Sequence, residues 1–408
     1  MHEQQDIVVI GGGQAGLAMS RVLQQQGREH IVLERGRVGE RWRTERWDSL
    51  RFQFPNWTLQ LPGYTYQGHD PEGFAHYGEI VRLVEDYAGR VGAPVRKHTE
   101  VRALAALDGN EGFELSLADT SIHARNVVIA TGPFQLPRIP DLAREVSPSV
   151  MQLDPTHYRN PEALPEGAVL VVGSGASGTQ IADELLRAGR RVYLSVSRHR
   201  RVPRRFRGKD VYWWFEALGR FAQTIDSFPD RQYPPSSVLT GVDGGYDVDV
   251  RKLAAAGAKV IGRVIAASDG EFRVQANANQ ILDEADQAYA GFLTAVRDFI
   301  NKGVEDEFAE EEPGEPGPLP RVQEVESLSL ADEGITTIIW ATGYAYDYGW
   351  VRIPVFDERG RPVQQRGVTP VPGLYFLGLH WMHTFKSGLL SGVGADAEFL
   401  VDRMSGTR

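Results

Sequence analysis

Twice along this chain an apolar run breaks at a cluster of glycines and resumes at once as a helical stripe. The first occurrence is Ile7-Val-Val-Ile10, then Gly11-Gly-Gly13-Gln14-Ala15-Gly16, then Leu17 to Leu23 with apolar residues at helical spacing. Each glycine has its own physical task. Gly11 permits a tight turn, Gly13 lets the backbone approach a pyrophosphate, and Gly16 lets helix and strand pack closely while the helix N-terminus faces the anion. Gly27 then stops the helix. A second strand, Ile31-Val-Leu33, ends in Glu34 and Arg35, where a carboxylate accepts from a ribose 2′-hydroxyl.

The pattern recurs with Ala168-Val-Leu-Val-Val172, Gly173-Ser174-Gly175-Ala-Ser177-Gly178, a helix-like Thr179 to Leu186, Gly189 and a strand Arg191 to Ser195. No acid closes this strand. Ser197, Arg198, Arg200 and Arg201 stand there instead, and a guanidinium in that place pairs with a 2′-phosphate, so this site reads as NADP rather than NAD. One such motif is weak evidence. Two in full strand–turn–helix–strand context point to two dinucleotide sites. Two further strands, Asn126 to Ala130 and Thr337 to Ala341, each run into a Thr-Gly pair, Thr131-Gly132 and Thr342-Gly343. Small residues there let a chain pass tightly beside a dinucleotide where one domain joins the other, and a plain strand followed by a turn is the alternative.

Composition narrows the chemistry. The 408 residues contain no cysteine, which excludes disulfide frameworks, Cys-Cys redox centres, thiolate metal sites and a cysteine nucleophile. Any redox work falls to a bound cofactor. A net charge of −10 argues against nucleic acid or an anionic membrane as partner. Met1 to Asp6 has no basic region before the first apolar run, and no stretch approaches the roughly 18 apolar residues of a span, so a cytoplasmic protein is expected.

With both motifs in place the chain resembles the two-dinucleotide-binding flavoproteins, and within them the flavin-containing (class B) monooxygenases, the plant auxin-forming enzymes and a bacterial branch of flavin-dependent oxidoreductases. Further residues carry the likeness: Val38-Gly-Glu-Arg-Trp42-Arg43, Ala130-Thr-Gly-Pro133 leading to Pro137 and Pro140, Arg198 to Arg205, and the stretch Trp47 to Leu50, Pro55 to Trp57, Leu61 to Tyr64. The resemblance implies FAD at the first site and NADPH at the second. It also implies that Phe376-Leu-Gly378 and Lys386-Ser387-Gly388 return to the flavin. The implied reaction is hydride transfer to flavin, capture of O2 as a C4a-(hydro)peroxyflavin, and oxygen transfer to a soft N or S atom of a small molecule. A Baeyer–Villiger ketone oxygenase and a flavin reductase without oxygen transfer are the alternatives. One departure bears on them: the histidine of the family's interdomain fingerprint is replaced by Asp154, His157 falls three residues late, and only Tyr158 fits.

Trp42, Trp47 and Trp57 interleave with Arg41, Arg43, Arg46 and Arg51 and with Phe52 and Phe54, a segment suited to walling a flavin or to packing a core. Arg43, Gln53, Asn56 and His380 are the catalytic candidates. His380 and His383 have a metal-pair spacing without an accompanying carboxylate motif, so no metal is expected. Asp210 to Phe215 reads as a helix with a wide aromatic face, more core or dimer contact than substrate box. Ile281 to Ile300 has an amphipathic stripe, followed by an acidic Pro/Gly-rich stretch from Val304 to Pro320. The expected architecture is α/β: two doubly wound, three-layer Rossmann-like domains, an NADP domain (164–329, with a helical and acidic insertion at about 280–320) inserted in an FAD domain (1–163 and 330–408). A homodimer is compatible with it.

Overall fold

In this computed structural model residues 2–302 and 321–405 are described. Ile7, Val8 and Val9 are fully buried because they form the inner half of β1 (His2–Ile10), a central strand covered on both faces. The first sheet also contains β2 (Ile31–Leu33), β3 (Val95–Arg96), β4 (Ala103–Ala106), β5 (Phe113–Ser116) and β6 (Ser121–Ile129), in the order β3-β2-β1-β6-β5-β4. β1, β2, β3 and β6 run parallel, while β5 runs antiparallel to both its neighbours, β6 and β4. β6 is long enough to serve two partners on one edge. Its residues Ser121–Ala124 pair with β5, and Val127–Ile129 pair with a parallel strand, Leu374–Phe376, from near the end of the chain.

The second sheet is entirely parallel. It contains β7 (Met151–Leu153), β8 (Ala168–Val172), β9 (Val192–Ser195), β10 (Lys259–Ile261) and β11 (Ile335–Trp340), ordered β7-β11-β8-β9-β10. The two-residue period of β8 divides the core into two layers. Val169 and Val171 pack with Ile181, Leu185 and Leu282 of the helices, and Ala168, Leu170 and Val172 pack with Phe272, Val274 and Leu328 on the other face.

The second sheet runs past the expected range of 164–329. β7 and β11 lie outside that range, yet both pair within the sheet, which spans Met151 to Trp340. The chain leaves the first unit through Leu136–Pro137 and returns through Tyr344–Ala345, and these two crossings pair antiparallel with each other. Arg138 N–H donates to the Gly343 carbonyl at 2.8 Å. The two Ala-Thr-Gly turns therefore sit side by side at the passage between units.

Four helices frame the glycine turns and the aromatic segments: α1 (Gln14–Gln25), α2 (Tyr77–Val91), α3 (Ala176–Arg187) and α4 (Val211–Ala217). A fifth, α5 (Ala278–Ile300), begins three residues before the expected stripe. It buries Leu282, Ala285, Phe292, Val296 and Ile300, and so is a core-building element rather than a passive surface one. The acidic stretch after it lies outside the described residues. No helix among the described residues is long and apolar enough to cross a membrane.

Candidate active site

Both glycine turns have the same construction. Gly11 has φ +114° and Gly173 has φ +110°, and their N–H groups donate to Leu33 O and Ser195 O at 2.8 and 2.9 Å. A Cβ on Gly16 would overlap the Gly11 carbonyl, and one on Gly178 would overlap that of Gly173, so each helix starts pressed against its own strand. Gly13 and Gly175 differ from these. Each is the N-cap of its helix with no side-chain cap, and nothing lies within 4 Å of where a Cβ would be. Each helix thus offers unpaired N–H groups and its positive dipole end to open space, which is what a phosphate requires. The residues fit a dinucleotide at both turns.

The carboxylate of Glu34 accepts from Gly12 N at 2.6 Å and Gly36 N at 2.8 Å. Two bonds orient it and leave lone pairs for a ribose diol. Arg35 beside it is exposed. Residues far apart in sequence close on the start of α1. Gln14 Nε2 donates to Gly388 O at 2.7 Å, Gly378 (φ +78°) lies so near Ala15 that a Cβ would overlap it, and Ala130 N–H donates to Ile10 O at 2.8 Å. Ser387 is buried instead, its Oγ accepting from His383 N and Thr384 N to hold the turn.

No motif marks Gln135, yet it ties the units together. Its buried amide donates to Thr131 Oγ1 at 3.0 Å and Gly132 O at 2.8 Å and accepts from Asp347 N at 2.6 Å, joining the first Ala-Thr-Gly turn to the return crossing. On the other crossing Thr342 Oγ1 donates to Arg138 O, with Ala341 half-buried and Gly343 exposed.

At the second turn Ser174 is fully buried, its Oγ donating to Ser197 O at 2.8 Å and meeting His199 Nδ1 at 3.0 Å, so its side chain braces the loop. Burial pushes the His199 imidazole down. Ser177 is half-buried in the first turn of α3. The six arginines after β9 are not alike. Arg201 is buried against Asp249 and Asp286 at 2.8 Å each, Arg204 against Asp210 at 2.7 Å, and Arg205 reaches the carbonyl of Gly244. Arg200 lies over the Phe215 ring, and burial pushes its guanidinium down to about 10. Acids already surround Arg201, which leaves it committed to them rather than open to a phosphate. Arg198 remains, exposed and without a hydrogen-bond or ion-pair partner among the described residues.

The catalytic candidates separate as well. Arg43 donates to Glu85 of α2 at 2.5 Å, which holds its tip on that helix. Asn56 Nδ2 donates to Asp70 O, but Asn56 Oδ1 and Gln53 Oε1 are buried without a partner. An unmet buried acceptor costs about 1–3 kcal/mol. A bound N–H would relieve it. Their segment borders the Gln14–Gly388 contact, since Phe54 meets Phe385 of the same turn at 6.4 Å. Arg204 ties this segment to the second unit through Nη1 to Gln53 O at 2.7 Å. The aromatic face of α4 is core, as Tyr212 and Trp214 are almost completely buried. Trp42, half-buried, packs against Phe52 at 6.0 Å under Arg46. His380 is half-buried, with burial pushing its imidazole down to about 4.

Comparison with known proteins gives this site a lineage. The family model "Pyridine nucleotide-disulphide oxidoreductase" matches residues 8–211. The chain belongs to that family. It is 36% identical over 407 residues to an uncharacterized CzcO-like oxidoreductase of Geobacillus kaustophilus, covering 97% of each chain. In structure it is similar to a flavin-containing monooxygenase from Stenotrophomonas maltophilia, with TM-score 0.66, 18% identity and 99% and 98% of the two chains covered. It is also similar to OTEMO in complex with FAD and NADP, with TM-score 0.55, 17% identity, and 99% and 86% covered. It is an oxidoreductase with the two-domain Rossmann-like fold of the flavoprotein monooxygenases. The thiols in the family's name are missing from it, since the chain has no cysteine.

Proposed function

We propose that this oxidoreductase binds FAD at the Gly11–Gly16 turn and NADPH at the Gly173–Gly178 turn, and with O2 transfers one oxygen atom to a soft N or S atom of a small molecule. The observation that carries the reading is the pair of uncapped helix starts with open space before Gly13 and Gly175. FAD held there would supply the redox chemistry, hydride acceptance and O2 activation, that no side chain of this protein provides. The protein positions and desolvates. Glu34 holds the ribose of one dinucleotide, and Arg198 holds the 2′-phosphate of the other. Gln14 and Gly388 pin the C-terminal segment across the first turn. The Phe54, Phe385 and Phe221 rings keep water from the space beside it.

The fingerprint segment supports heteroatom oxygenation over Baeyer–Villiger chemistry. Asp154, at the fingerprint position, is buried and already bonded to Thr156 and, at 2.7 Å, to His157, whose ring faces solvent. With NADPH under 18O2, a thioether panel should yield sulfoxide carrying one labelled oxygen per NADPH consumed. Unlabelled thioether with stoichiometric hydrogen peroxide would assign a reductase instead, and lactone from a cyclic ketone would assign the Baeyer–Villiger reaction. Arg198→Ala should weaken NADPH about 10- to 100-fold, the worth of a charged hydrogen bond, and change NADH by less than about twofold. Equal losses for the two would remove the 2′-phosphate role.

A further inference from the structure

The turn that carries Gly378 and Gly388 presents one polar side chain to an aromatic corner. Gly388 lies against the backbone of His380, within 3.6 Å of its Cα for a Cβ placed there, and Gly388 O is the acceptor of Gln14 Nε2 at the start of α1. His380 therefore stands beside the first dinucleotide turn. Its neighbours are rings: Tyr233 edge-on at 5.1 Å, and through Tyr233 the stacked indole of Trp381 at 5.6 Å. Trp381 in turn meets Phe228 edge-on at 5.1 Å and Phe385 at 5.6 Å. The corner is built from both units, His380 and Trp381 from the first and Phe228 and Tyr233 from the second.

Two features distinguish this corner from ordinary core. Trp381 has φ +52°, a left-handed conformation that costs a bulky residue about 1–3 kcal/mol. In extended chain, neighbouring side chains point apart. Here the left-handed turn brings the rings of residues 380 and 381 onto the same Tyr233. The second feature is that neither imidazole nitrogen of His380 has a hydrogen-bond partner among the described residues. A ring face can take up an imidazole N–H, as the edge-on Tyr233 contact allows, but the lone pair has no such substitute. The half-buried imidazole is therefore open to a donor from outside the protein.

We propose that His380 is the polar anchor of the substrate subsite: an uncharged aromatic molecule stacks among Trp381, Tyr233 and Phe228 and donates an N–H or O–H to the His380 imidazole. The proposal deepens the oxygenase reading and rests on it for the nature of the reacting atom. The burial that holds the imidazole neutral keeps it an acceptor at physiological pH. Burial is the main influence on the Tyr233 hydroxyl and pushes its pKa up, while the guanidinium groups of Arg361 and Arg138 act on it in the opposite sense and add positive charge beside the corner. A protonated amine would approach against both.

The test is calorimetric titration of the oxidised, flavin-loaded protein with two thioethers that differ at one polar group, 4-(methylthio)phenol and 4-(methylthio)anisole. The phenol should bind about tenfold more tightly, the value of one net hydrogen bond. His380→Leu should bring the pair within about twofold. His380→Gln, which keeps an acceptor, should retain part of the preference. The cation 4-(methylthio)benzylamine should bind weakest. Equal affinities in the unaltered protein, an undiminished preference in His380→Leu, or tightest binding by the amine would each overturn the proposal. The unaltered protein alone decides it should a variant fail to fold. Failures of the two readings look different. A phenol that binds as expected but is never oxygenated leaves the subsite standing and removes the oxygenase, while oxygenation without preference does the reverse.

Discussion

A single added methyl separates two kinds of glycine in this protein. At Gly16 a Cβ would overlap the Gly11 carbonyl, and neither the strand nor the helix can yield, so Gly16→Ala should lose about 3 kcal/mol or more in urea unfolding. Such positions were legible because the motif is local: turn, strand and helix are consecutive in sequence. Arg204 was not legible. Its ion pair with Asp210 is buried at both ends, and its further contact, Gln53 O, comes from 151 residues away. Asp210→Asn would leave a buried guanidinium without its counter-charge, and the expected cost is about 3–5 kcal/mol by the same assay. His380 gives a prediction with a definite sign. Its native imidazole titrates near 4 and the unfolded one near 6.5, so the unfolded chain binds the extra proton between them. The contribution is complete above pH 6.5 and is lost as pH falls toward 4. The unaltered protein should therefore lose stability relative to His380→Gln across that window, and a constant difference between them would contradict the buried neutral imidazole.

At the scale of elements, periodicity was a sound guide to existence and a poor one to partners. The stripe at 281–300 predicts α5 within three residues, yet nothing in it announces that Asp286 accepts from both Arg201 and Arg251 at 2.8 Å. The Arg201 contact fastens α5 to the segment after β9, and it commits that arginine to the structure. Asp286→Ala should destabilise by about 2 kcal/mol, the worth of hydrogen bonds to charged groups, while leaving NADPH affinity within about twofold. A large loss of NADPH affinity instead would place Arg201 at the cofactor. The fingerprint segment behaves in the complementary way. The departure at Asp154 is visible in sequence, and its place in the structure is local: Asp154 closes a turn on Thr156 N at 2.8 Å and meets His157, while the tertiary tie comes from Tyr158, which donates to Glu184 of α3 at 2.8 Å.

Across the whole molecule, two similar glycine turns stand on two sheets joined by crossings that pair with each other, and each turn opens onto free space at a helix start. The doubling was readable from the start because each turn repeats the same spacing. The reach of the second sheet was not, because β7 and β11 are short apolar runs whose sheet is chosen by pairing rather than by any local signal. The absence of cysteine keeps its first meaning and gains another, since a chain of a disulphide-reductase family that has no thiol must deliver its electrons elsewhere. In the proposed function the two turns hold different dinucleotides and act in series. Gly13 and Gly175 both have negative φ and open space before them, so alanine at either should fold normally and fill only the place of a pyrophosphate. The decisive measurement is bound flavin and anaerobic flavin reduction in Gly13→Ala and Gly175→Ala side by side. Gly13→Ala should purify folded and colourless. Gly175→Ala should purify yellow, reduce normally with dithionite, and require about a hundredfold more NADPH, equivalent to ~2.7 kcal/mol of lost pyrophosphate contact. A yellow Gly13→Ala, or a Gly175→Ala that loses flavin while responding normally to NADPH, would contradict this division of labour.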